Sequence, residues 1–96
     1  MEFKLRGYLE KTIDNQLKES TLKVYFDLNN RFSPIISSNE DMVFGFFIGN
    51  TFANYAQVCE ELRKGSMKEE DIKLFVEVVE RRGLEIKSTI RVIGNL

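Results

Sequence analysis

The stretch that most constrains this chain is residues 42–59, MVFGFFIGNTFANYAQVC, because it carries no charged side chain. Charged residues make up 30% of the sequence, so an uncharged run of this length indicates a segment that is largely buried. A helix that is apolar around much of its circumference must be covered on more than one side. The run therefore predicts a central helix packed against several others.

The composition of this run argues against a membrane span. Polar side chains occupy its second half, and acidic residues flank both of its ends, with no basic residues on the N-terminal side. The N-terminus also lacks the apolar core of a signal peptide. The sequence therefore predicts no membrane association and a cytoplasmic location. The polar residues of the run are Asn50, Thr51, Asn54 and Gln57.

The size and composition of the chain predict one folded domain, 1–96. A hydrophobic content of 43% is typical of a globular protein, and a net charge of −1 argues against a dedicated nucleic-acid binder. Histidine is absent, which removes the commonest general base and a common metal ligand. The single cysteine, Cys59, cannot form an internal disulfide.

A boundary between two helices is predicted where the sequence reads KGSMKE. Gly65 suits the left-handed backbone position that ends a helix. Ser66 followed by Glu69 forms an S-x-x-E capping box for the next helix. Because the link is only about two residues long, the two helices are expected to form an αα-hairpin.

The first helix of this hairpin is expected to run from Ser38–Asn39 to about Lys64, with two apolar seams along it. One seam carries mostly large side chains that require an apolar partner, and the other carries mostly small ones that allow a second backbone to approach closely. The large seam comprises Phe44, Ile48, Thr51, Tyr55, Val58 and Leu62, and the small seam comprises Gly45, Gly49, Phe52, Ala56 and Cys59.

The last helix is predicted from about Met67 to about Ile93. Its apolar residues repeat in alternating steps of four and three, the pattern of a coiled-coil-like seam. Gly83 falls on this seam, and a kink near 82–84 is the alternative to a continuous helix. Acidic residues occupy its first half and basic residues its second, which suits the helix dipole and would also let two copies pair antiparallel. The seam comprises Ile72, Val76, Val79, Gly83, Ile86, Ile90 and Ile93.

The N-terminal third allows two interpretations. Its apolar spacing favours one long amphipathic helix from about Tyr8 to Asn30. Residues 21–28, TLKVYFDL, also alternate between apolar and polar, so an α+β chain with a small β-hairpin at about 21–37 is the alternative. The favoured fold class is mainly α: a three-helix chain with a C-terminal αα-hairpin, assembled as a homodimeric helical bundle.

A second copy of the chain is the predicted partner, because the uncharged run has more apolar surface than two other helices of one chain can cover. Asn50, Asn54 and Gln57 share one face of the helix, which is interpreted as a solvated stripe. The alternative is that Asn50 or Asn54 is buried at a helix contact, where it would fix the register and the oligomeric state. The predicted dimer interface comprises Phe44, Phe47, Ile48, Phe52, Tyr55, Val79, Gly83 and Ile86.

No catalytic signature is present, so the favoured function is a small non-enzymatic interaction or regulatory protein that needs no cofactor. Its partner is itself, with a further protein as a second possibility. The first alternative is a nucleic-acid-binding dimer, although acidic residues at the start of the last helix would repel phosphates. The second is a Mg²⁺-dependent enzyme that uses helical carboxylates such as Glu77 and Glu80. The nucleic-acid alternative relies on Arg81, Arg82, Lys87 and Arg91.

Overall fold

The computed structural model describes residues 1–32 and 39–96 of the chain. Within those residues it contains no strand and four helices. The prediction of a mainly α fold is therefore confirmed, whereas the predicted count of three helices is wrong. The helices are α1 (Glu2–Gln16), α2 (Glu19–Arg31), α3 (Asn39–Arg63) and α4 (Glu69–Gly94).

The first predicted helix is broken into two at Lys18, whose backbone is extended with φ −86° and ψ 142°. The break changes which residues face the core. If one helix continued straight past Ile13, the spacing of its apolar residues would place Val24 in the core. Instead Leu22 is fully buried and Val24 is 62% exposed. Residues 21–31 are helical, so the alternative β-hairpin is wrong there, and residues 33–37 of that hairpin lie outside the described residues.

The bundle has three rods, since α1 and α2 follow each other along one side of α3 and α4. The rod formed by α1 and α2 runs antiparallel to α3 and parallel to α4. Arg6 of α1 contacts Glu77 near the start of α4, and the ring of Tyr25 on α2 lies 6.2 Å from that of Phe46 near the start of α3. The core between the rods comprises Leu5, Leu9, Ile13, Leu22, Val43, Phe47, Tyr55, Cys59, Leu74, Phe75, Val78, Ile86 and Ile90.

The turn between α3 and α4 differs from the sequence prediction by one or two residues at each end. The left-handed residue is Lys64, with φ 54°, and the N–H of Gly65 donates to the carbonyl of Glu60 at 3.1 Å. α4 is capped at Lys68 rather than at Ser66. The predicted capping box of Ser66 and Glu69 is replaced by one that begins two residues later. In it, the N–H of Lys68 donates to a carboxylate three residues further along the chain.

That carboxylate belongs to Asp71, which lies at the centre of a buried polar cluster. It accepts the N–H of Lys68 at 2.9 Å and two hydrogen bonds from the guanidinium of Arg63, each 2.6 Å long. The hydroxyl of Tyr55 donates to the Asp71 carbonyl at 2.8 Å. The Arg63 guanidinium holds the pKa of the Asp71 carboxyl below its usual range, and burial raises the pKa of Tyr55.

Holding Asp71 inward fixes the rotation of α4 about its own axis. Residues three, four and seven positions further on then face the core, and these are Leu74, Phe75 and Val78. In the first half of α4 the predicted seam is therefore wrong, because Ile72 and Val76 are 44% and 45% exposed. In the second half its members Ile86 and Ile90 are fully buried, and α4 runs as one helix through Gly83 without a break.

Replacing Asp71 with asparagine is expected to destabilise the protein by about 3 kcal/mol, because Arg63 would keep its charge in a largely buried position without a carboxylate. The measurement is the free energy of unfolding from urea titrations followed by circular dichroism. Glu70→Gln is the matched control, since the Glu70 side chain contacts the same guanidinium at 3.0 Å but is 69% exposed. The control should lose less than about 1 kcal/mol. Equal losses in the two variants would contradict this role for Asp71.

Acidification is expected to weaken the folded state through the same carboxyl. Because its folded-state pKa is lowered, Asp71 stays ionised to a lower pH in the folded chain than in the unfolded chain. The stability it contributes is complete above the ordinary aspartate pKa of about 3.9 and is lost as the pH falls through the lowered value. The difference in unfolding free energy between wild type and Asp71→Asn should therefore shrink from pH 7 to pH 2. A difference that does not change with pH would count against the ion pair.

Candidate interaction surface

The eight residues predicted for the dimer interface divide into an interior group and a surface group. Phe47, Tyr55 and Ile86 are fully buried by the chain's own helices, so they are core residues of the single chain. A second copy can reach only the surface group without opening the bundle. That group comprises Phe52, which is 36% exposed, and the half-buried Phe44, Ile48, Val79 and Gly83.

The outward side of α3 keeps the uncharged run on the surface. Gly45, Gly49 and Ala53 are exposed there, and no charged side chain lies between Asp41 and Glu60. A methyl group built on either glycine would meet no atom within 4 Å, so the backbone lies open to a partner. The large predicted seam thus turns mainly inward, whereas most of the small seam faces outward.

A second row of exposed apolar residues follows the edge of α4 beside α3. It contains Ile72 and Val76, with Gly83 further along. Phe52 joins the two rows, because its ring packs edge-on against Phe75 with the centroids 5.0 Å apart. We name these residues together the α3–α4 face, comprising Gly45, Gly49 and Phe52 of α3 and Ile72, Val76 and Gly83 of α4.

The basic half of α4 is largely occupied by contacts within the chain. Arg82 lies 3.1 Å from Glu10, 2.6 Å from Asp14 and 2.9 Å from Glu85, and it lowers the pKa of the Glu85 carboxyl. Arg81 pairs with the carboxylate of Glu10 as well. Further along, Arg91 lies 3.4 Å from Glu40, and the ammonium of Lys87 lies 5.4 Å from the centre of the Phe44 ring. Carboxylates of α1, α3 and α4 therefore offset most of the charge that a phosphate backbone would contact.

The helical carboxylates proposed for a metal do not converge. Glu77 pairs with Arg6 at 3.2 Å, and Glu80 forms no ion pair with any residue in the described ranges. Among residues 1–32 and 39–96 no three metal-ligating side chains come together. Cys59 is fully buried, and burial raises the pKa of its thiol, so the reactive thiolate is disfavoured.

A polar cluster that the sequence analysis did not find holds the end of α1 against α3. The hydroxyl of Tyr25 donates to Gln16 Oε1 at 2.6 Å, and Asn50 donates to the same oxygen at 3.0 Å. The other end of the Gln16 amide donates to the hydroxyl of Thr51, which itself donates to the Phe47 carbonyl at 2.7 Å. The only sequence signal was the polar pair at 50–51, but its partner at Gln16 depends on where α1 ends.

Comparison of the chain with family models, with curated proteins and with solved structures returned no match. The helices within the described ranges also include none with the length and hydropathy needed to cross a bilayer. The function is therefore inferred from the geometry of this chain alone.

The division between core and surface phenylalanines on α3 is directly measurable. Phe47→Ala is expected to cost about 3–5 kcal/mol, because the ring is fully buried and leaves a cavity. Phe52→Ala should cost about 1 kcal/mol in the single chain, because its ring is 36% exposed and packs on one side only. Urea unfolding at low protein concentration measures both values. Similar losses for the two variants would show that Phe52 is a core residue.

Proposed function

We propose that this chain is a small non-enzymatic interaction or regulatory protein that acts as a homodimer through its α3–α4 face. The observation that carries the proposal is the outward side of α3, which is uncharged from residue 42 to 59 although it lies at the surface. Contiguous uncharged, partly apolar surface of this kind is typical of interaction sites in soluble proteins.

Two features support a second copy as the partner. The face offers projecting side chains, such as Phe52, next to the hollows at Gly45 and Gly49, so one copy supplies both halves of a complementary contact. A twofold dimer uses the same patch on both subunits, which such a surface satisfies. With extents of 41 × 24 × 20 Å, one broad side of the molecule provides the roughly 800 Å² per partner of a standard interface.

Neither alternative function has comparable support. For nucleic-acid binding, Arg81, Arg82 and Arg91 are each paired with carboxylates, which leaves Lys87 as the cation of that set outside any ion pair in the described chain. For Mg²⁺-dependent catalysis, Glu77 is engaged by Arg6, and no group of three metal-ligating side chains forms among the described residues. A cytoplasmic location stays a prediction.

Gly49→Glu is expected to abolish the dimer while leaving the folded monomer intact. The glutamate side chain has open space on the single chain, and glycine is the poorer helix former, so the variant should fold at least as well. At the dimer contact it would place two buried charges against each other. Sedimentation equilibrium over a wide concentration range gives the mass of each variant.

Gly7→Glu is the matched control, because Gly7 is also an exposed helical glycine with nothing within 4 Å of a built methyl group, but it lies on α1. The control should remain dimeric. A wild-type chain that stays monomeric at every concentration would refute the homodimer, and a dimeric Gly49→Glu would move the contact away from the α3–α4 face.

A further inference from the structure

The ion pairs of α4 leave two of its charges without a partner of opposite sign in the described chain. Every other charged side chain of α4 pairs with a residue of α1, with a residue of α3 or with a neighbour on α4 itself. The two exceptions are Glu80 and Lys87, and the ammonium of Lys87 lies 5.4 Å from the centre of the Phe44 ring. One acid and one base are therefore available to a partner.

Glu80 and Lys87 lie on the outward side of α4, one before and one after Gly83 and Leu84. They are seven residues apart, which is two helical turns or about 10.5 Å. Midway between them lie Gly83, where a methyl group would meet nothing within 4 Å, and Leu84, which is 83% exposed. An exposed leucine beside an open glycine has no packing role within the single chain.

We propose that α4 packs antiparallel against α4 of a second copy, about a twofold axis that runs between the two helices and perpendicular to both, level with residues 83 and 84. This arrangement deepens the homodimer proposed above and rests on it. Rotation about that axis places Glu80 opposite Lys87 of the partner subunit and Lys87 opposite Glu80 of the partner subunit. The same rotation brings Leu84 next to Leu84 of the partner subunit and Gly83 next to Gly83 of the partner subunit.

Charge selects the direction of the pairing and the identity of the partner. A parallel contact about the same point would place Glu80 against its own copy and Lys87 against its own copy, so both pairs would repel. The antiparallel contact turns both into attractive pairs. Because the acid, the base and the exposed leucine are all centred on the same level of α4, a second copy of this chain offers each of them a suitable contact.

The axis also brings the glycines of α3 into the same interface. Lys87 of α4 lies beside Phe44 of α3, and Phe75 lies beside Phe52. Gly49 lies between those two phenylalanines along α3, as Gly83 does between Lys87 and Phe75 along α4. One axis across the two helices therefore passes close to both glycines, where the backbones can approach most closely.

Charge reversal tests the pairing. Glu80→Lys and Lys87→Glu are each expected to weaken dimerisation at least tenfold, because each replaces two attractive contacts by two repulsive ones. An equimolar mixture of the two variants should form a heterodimer with affinity near that of the wild type, since every contact is then attractive again. The double variant carrying both changes should recover as a homodimer. Sedimentation equilibrium at low ionic strength gives the dissociation constants, and added salt should reduce the differences.

Two further variants separate charge and packing effects from loss of fold. Lys11→Glu reverses an exposed lysine of α1 that forms no ion pair with the described residues, and it should dimerise as the wild type does. Leu84→Ser removes the exposed leucine side chain without changing any charge, and it should weaken the dimer while its circular dichroism stays unchanged.

Single variants that dimerise normally, or a mixture that fails to associate, would overturn the antiparallel contact. If Gly49→Glu alone abolishes the dimer while the charge variants have no effect, the homodimer stands and this arrangement falls. If the wild type is a monomer throughout, both proposals fall.

Discussion

The buried contact between Arg63 and Asp71 is the constraint on which the rest of the α3–α4 surface depends. Both side chains lie next to the turn, and the two hydrogen bonds between them, each 2.6 Å long, leave Asp71 almost fully buried. A carboxylate in that position must keep its cation, because either charge alone would be costly in the interior. The pair therefore fixes how α4 is rotated where it meets α3.

That rotation decides which apolar residues of α4 are covered. With Asp71 inward, Phe75 enters the core beside Tyr55, while Ile72 and Val76 remain at the surface. A helix turned by one position toward the sequence-derived seam would bury Ile72 and Val76 and expose a phenylalanine. The exposed row on α4 is thus a consequence of a polar contact at the turn.

The same logic accounts for α3. Its large side chains turn toward the two neighbouring rods. The amide of Asn50 donates to Gln16 and Tyr25, and the hydroxyl of Thr51 accepts from Gln16, so α3 is attached to the junction of α1 and α2. What remains outward is small and uncharged. A surface that lacks charge and has open backbone suits a close helix contact. Glu80 and Lys87 of α4, which form no ion pair among the described residues, favour an antiparallel direction for the proposed contact. The proposed interaction surface therefore depends on the positions of the charged residues in the bundle as well as on the positions of its apolar residues.

The sequence by itself determined the helical class, the position of α3 and α4 and the unusual character of the uncharged run, because these depend on local periodicity and on composition. It also identified the small seam of Gly45 and Gly49 as a separate face. Only the tertiary structure decided that the first helix breaks at Lys18 and that Phe47, Tyr55 and Ile86 belong to the core of one chain. It also decided which charges of α4 form no ion pair among the residues that the structure describes. Those outcomes depend on contacts between residues far apart in the chain, such as Gln16 with Thr51, which no spacing along a single helix encodes.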